Sequence, residues 1–182
     1  KKDSFREFGR KVELFEGVED WFARINAYAK IQNVDVQHFI ISSGLREMIE
    51  GTKIAKQFKK IYASGFMYDV NGVADWPALA VNYTTKTQYL FRINKGSLDE
   101  DDNSLINRYV PDEERSVPFN RMLFIGDGET DVPCMRLIKA QGGMLLRFIR
   151  QVKEVRNRKH SSWFQMAAQL WRLLLIIRRI LL

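Results

Sequence analysis

The chain has 182 residues, long enough to bury a sizeable core in one domain. Apolar residues make up 46% and charged residues 28%, which excludes a disordered, collagen-like or disulfide-built chain. The net charge of +7 is uneven: residues 144–182 carry nine Lys or Arg against the single acid Glu154, and residues 1–143 sum to −1.

That asymmetry divides the chain into a body, 1–143, and a basic, apolar tail, 144–182. One cysteine, Cys134, cannot form an internal bridge, and no charged-then-apolar leader is visible. A reducing, cytoplasmic compartment is the expectation.

In chain order, residues 15–32 read as an amphipathic helix. Val18, Trp21, Phe22, Ile25 and Tyr28 recur at helical spacing, and Gly17 marks the entry. Residues 36–41 form a short apolar run that suits a buried strand, with His38 packed at its start. The run ends in Ser42-Ser43-Gly44, and a helical pattern follows from Leu45. Residues 61–68 and 73–76 predict a hairpin, turning at Asp69-Val70-Asn71-Gly72. A helix is expected over 84–94, then an acidic surface excursion over 98–118. Residues 122–125 suit a second buried strand, closed by Gly126-Asp127-Gly128, with a helix over 132–139. Alternating strands and helices imply an α/β fold with a mostly parallel sheet. In such sheets, chemistry collects at the carboxyl ends of strands. Both polar-glycine turns fall at such ends.

Three segments carry candidate chemistry. In Gly126-Asp127-Gly128-Glu129-Thr130-Asp131, two carboxylates stand four apart on a tight strand-to-helix turn. Mg²⁺ suits them, because it takes one or two carboxylates plus substrate phosphate and water. The plainer reading makes Asp131 a helix cap. Ser42, Ser43 and Gly44 offer hydroxyls and backbone amides that can cradle an anion, or simply cap a helix. Lys86 opens a helix, where a cation opposes the helix dipole. It either meets an anion there or is a solvated side chain.

Taken in order, Ile41-Ser42-Ser43-Gly44, Lys86 and Gly126 to Asp131 resemble the haloacid dehalogenase-like hydrolase superfamily. The hairpin that follows the serine segment is similar to its phosphoserine-phosphatase-like branch. The resemblance covers roughly residues 5–143 and implies an incomplete three-layer Rossmann-like core. It further implies Mg²⁺-dependent hydrolysis of a phosphate monoester, a small phosphorylated metabolite, through an aspartyl-phosphate. Ser42, with Ser43 and Gly44, would bind phosphate oxygens. Lys86 would neutralise charge on the phosphoryl group. Asp127 would ligate Mg²⁺, and Asp131 would support it or ligate directly.

The family's attacking carboxylate stands in an Asp-x-Asp at a strand end, ahead of these segments. Asp99-Glu100-Asp101 has the spacing but follows no apolar run and comes after Lys86. The expectation is a nucleophile upstream of Lys1, a chain without activity alone, and sheet neighbours with bare edges. The tail departs from the family after Gly143, and with chosen synonymous codons a reading frame shifted back by one nucleotide can spell the family's strand, helix, turn and closing strand; a frameshifted tail is the expectation. The rival expectation is a basic helical tail, with 163–182 lying on a membrane and 147–159 meeting lipid or nucleic-acid phosphates. No nucleic-acid-binding motif accompanies it, so neither nucleic acid nor membrane is an expected partner of the body.

Overall fold

The computed structural model describes residues 1–147. The expected tail helix, its docking faces and the shifted frame lie outside the described residues. Those described fall into two compact units, one of residues 13–36 and one of residues 1–12 with 37–147.

The smaller unit holds one helix, Val18–Ile31 (α2 below). It starts three residues later than predicted because Gly17 adopts a left-handed φ of 81° and cannot join the helix. Glu19 and Asp20 complement the amino end of the dipole. Phe22, Ile25 and Ala29 are its buried residues, at the three- and four-residue spacing read from the sequence.

The larger unit begins with α1 (Lys2–Arg10), which crosses α3 (Arg46–Gly51). The crossing is backbone on backbone. A Cβ on Gly9 would collide with the Met48 carbonyl, and one on Gly51 with the Arg6 carbonyl. Arg6 and Glu50 close it with an ion pair of 2.8 Å, and Lys2 N donates to Gly72 O at 2.9 Å.

β1 (Phe39–Leu45) pairs in parallel with β2 (Lys60–Tyr68), which pairs antiparallel with β3 (Ala74–Leu79). β4 (Leu123–Gly126) pairs in parallel with β5 (Met144–Arg147). α4 (Lys86–Lys95) packs on α5 (Val132–Ala140), which covers β4 and β5. The core joins both sheets: Ile41 of β1, Tyr62 of β2, Phe124 of β4 and Leu145 of β5 gather against Tyr89, Ile93, Cys134 and Ile138 of the two helices. Tyr62 and Tyr89 stack with ring centres 4.5 Å apart. This is the α/β, Rossmann-like architecture expected, but its strands form two sheets, not one. β1 on the side away from β2, and β4 on the side away from β5, pair with no strand among the described residues.

Two strands also run differently from expectation. β1 starts later and runs through Leu45, because Ser43 and Gly44 bulge out of a ladder that resumes at Leu45. β3 extends past Trp76 through Pro77, which an edge strand tolerates. Residues 98–118 lie largely at the surface, as expected, and are anchored there. The buried Arg92 guanidinium donates to the carbonyls of Asp99 (2.6 Å), Glu100 (3.1 Å) and Asp102 (3.0 Å) and to Asn103 Oδ1 (2.8 Å). Glu100 in turn bridges Arg46 at 2.7 Å and Lys60 at 2.8 Å.

Candidate active site

The site builds from the Gly126–Asp131 turn. β4 ends at Gly126, and Asp131 folds back under the turn so that its Oδ2 accepts from the backbone N–H groups of Asp127 (3.2 Å) and Gly128 (3.3 Å). Gly126 is required here: a Cβ on it would lie 2.7 Å from Asp131 Oδ2. The other oxygen, Oδ1, receives Lys86 Nζ at 2.7 Å. Lys86 Nζ also donates to Thr130 Oγ1 at 3.2 Å. Lys86 and Asp131 are both buried, at 5% and 7% exposure. A buried ion pair persists only when further hydrogen bonds satisfy it, and this one has them.

Lys86 stands at a helix start, as predicted, and is the first residue of α4 because the helix opens two residues later than expected. Asn82 shapes that start. Its Oδ1 accepts from Thr84 N (3.0 Å) and Thr85 N (3.1 Å), and its carbonyl accepts from Lys86 N at 3.1 Å. Of the two readings of Lys86, the solvated side chain is excluded: it is buried, and the anion it meets in the structure is Asp131.

Both Asp131 oxygens are occupied, whereas Asp127 is exposed and its carboxylate takes no hydrogen bond or ion pair among the described residues. The two aspartates thus differ in function: Asp131 organises the turn and the lysine, and Asp127 faces outward. No cluster of three His, Cys, Asp or Glu side chains forms a metal cage among the described residues. One open carboxylate beside a glycine turn fits a cation that completes its shell with phosphate and water, as Mg²⁺ does.

Within β1, just before its bulge, Ser42 Oγ accepts from Gly44 N at 3.0 Å, which leaves the Ser42 hydroxyl able to donate. α3 is only six residues long, so any anion binding here rests on the hydroxyl and the bulge amides more than on a helix dipole. Ser42, Ser43 and Gly44 make no direct hydrogen bond to Lys86, Asp127 or Asp131 among the described residues. α4 nevertheless packs on β1.

A family model described as haloacid dehalogenase-like hydrolase matches residues 2–136. The chain belongs to that family. It is also 32% identical over 147 residues to an uncharacterized protein of Borreliella burgdorferi (strain ATCC 35210 / DSM 4680 / CIP 102532 / B31), a match covering 71% of this chain and 50% of that protein. The chain therefore spans about half the length of the curated relative it matches. The haloacid dehalogenase-like match takes in Ser42, Lys86, Asp127 and Asp131.

Sequence reasoning missed four participants. Thr130 supports the lysine, Asn82 starts its helix, and Ser64 joins Ser43 O to Val81 N. Cys134 lies beneath the pair. Its thiol is pushed up to about 11 by burial, with the Lys86 charge opposing and the Asp131 charge adding. The Thr in the Gly126–Asp131 turn and the Asn four residues before Lys86 were readable as polar neighbours of a motif. Nothing in the sequence marked Ser64 or Cys134. Among the described residues no helix is long and apolar enough to cross a membrane.

Proposed function

We propose that this chain carries the phosphate- and cation-binding part of a Mg²⁺-dependent phosphomonoester hydrolase acting on a small phosphorylated metabolite, in the phosphoserine-phosphatase-like branch of its family. The observation that carries the reading is the division of labour between Asp131, which holds Lys86 and the turn, and Asp127, which stands open.

In this reading Asp127 holds the ion, which when bound supplies positive charge to the phosphoryl oxygens. Ser42 donates its hydroxyl proton to a non-bridging oxygen. Lys86, held in a fixed direction by Asp131 and Thr130, presents its ammonium to the phosphoryl group as charge builds. Such fixed charges are most of what phosphoryl transfer asks of a protein. The attacking carboxylate belongs to a strand outside the described residues. The bare edges of β1 and β4 are the places where that strand pairs.

The test is twofold. Isothermal titration of the full chain with inorganic phosphate should show binding that requires Mg²⁺ and is lost in Asp127→Ala. p-Nitrophenyl phosphate should not be turned over. Phosphate binding indifferent to Mg²⁺ would sink the cation assignment. Turnover abolished by Asp127→Ala would show that the chain supplies its own nucleophile.

A further inference from the structure

The Ser42–Gly44 turn and the lysine helix belong to different elements, and the bulge at Ser43-Gly44 loosens the turn from its strand partner. The ladder pairs Ser42 with Ala63 and then jumps to Leu45 with Ser64, so two residues have no place opposite β2. Ser64 fills that gap with its side chain. Its Oγ donates to Ser43 O at 3.2 Å and accepts from Val81 N at 2.9 Å. Val81 is buried and directly precedes Asn82, the residue that starts α4 and accepts from Lys86 N. One hydroxyl thus joins the serine turn to the root of the lysine helix. From there the chain of bonds continues through Lys86 Nζ to Asp131 and the Asp127 amide.

We infer that Ser64 is a positioning residue that fixes the spacing between the Ser42 hydroxyl and the Lys86 ammonium, so that both can address one phosphate. The inference rests on the phosphate reading above. A hydroxyl suits the task because it can donate and accept at once. No ladder hydrogen bond could do this, since Ser43 and Val81 belong to different segments. Removing it leaves one carbonyl and one amide without their partner and lets the bulge drift relative to α4.

The experiment is phosphate titration of the full chain in MgCl₂, with Ser42→Ala, Ser64→Ala, Ser64→Thr and the Ser42→Ala/Ser64→Ala double variant, each checked for an intact thermal transition. Two hydrogen bonds of ordinary net strength correspond to about a tenfold loss of phosphate affinity in Ser64→Ala. Ser64→Thr keeps the hydroxyl on a strand that tolerates branching and should restore affinity. The double variant should lose little more than Ser42→Ala alone, because a positioning residue has nothing left to position. If Ser42→Ala binds phosphate as the parent does, the phosphate reading fails and this inference with it. If Ser42→Ala weakens binding while Ser64→Ala does not, or while Ser64→Thr fails to rescue, only the role of Ser64 is overturned. Strictly additive losses in the double variant also overturn it.

Discussion

The ammonium of Lys86 and the carboxylate of Asp131 meet at 2.7 Å although 45 residues separate them in the chain, and both side chains are almost fully removed from solvent. This pair is the junction between α4 and the Gly126–Asp131 turn. It makes the arrangement of the site inseparable from the stability of the fold.

Removing one partner should therefore be costly. Lys86→Met leaves a buried carboxylate uncompensated, and the expected loss is about 3–5 kcal/mol. In a chain of this size that lowers the melting temperature by roughly 10 °C. Urea titration checks it. The companion variant Lys86→Met/Asp131→Leu should recover part of the loss, since no charge is then left buried. A single variant as stable as the parent would show that water reaches the pair.

Arg92 predicts a protease phenotype. Its guanidinium gathers the carbonyls of Asp99, Glu100 and Asp102, the last of which also accepts from Ser97 Oγ at 3.5 Å. Arg92→Met orphans those acceptors at about 1–3 kcal/mol for each one that stays buried. The segment 98–103 should then open, and a glutamate-specific protease should cut after Glu100 much faster than in the parent. Unchanged cleavage would mean that Glu100, through Arg46 and Lys60, holds the segment alone.

Cys134 offers a reporter. With its thiol pushed up to about 11 by burial, it stays protonated and shielded at pH 8. Reaction with a disulfide reagent should be slow in the folded chain and rise with the fraction unfolded in urea. In Lys86→Met the thiol should react sooner, because the packing above it is weakened. Fast reaction in the folded parent would contradict the burial.

His38 contributes to the acid side of the stability curve. Burial lowers its pKa below the usual 6.5. The folded chain thus favours the neutral ring, while the unfolded chain takes up a proton near 6.5. Stability is unaffected by this group above that value and falls as pH drops below it, until the folded ring also protonates. His38→Gln should flatten that part of the profile, measured by urea midpoints from pH 7.5 to 5. An identical slope in the variant would assign the loss elsewhere.

Much of the site was legible because its chemistry is local. The Gly126–Asp131 turn must bend sharply, and both its glycines and its carboxylates stand in consecutive positions. Lys86 at a helix start could be read either as meeting an anion or as a solvated side chain, and its order with the other two segments favoured the first. What escaped the sequence was the assignment of partners. The spacing of Asp127 and Asp131 cannot say which one faces outward, because that depends on a lysine 45 residues away. The bulge at Ser43-Gly44 was equally hidden. A run of apolar residues marks a strand, but only its partner's register shows where the ladder skips. The acidic stretch lies at the surface as its charges announced, but nothing in it showed that the backbone carbonyls between them were destined for Arg92.

The crossing of α1 and α3 at Gly9 and Gly51 has a mechanical consequence. Where two helix backbones approach this closely, a side chain at either glycine would force them apart. α1 is tied down on several sides, by Lys2 N on Gly72 O, by Arg6 on Glu50 and by the Phe5 ring stacked on Phe66. It thereby works as a clasp: the β2–β3 turn, β2 and α3, the helix that follows the Ser42–Gly44 segment, are all fastened to one short helix.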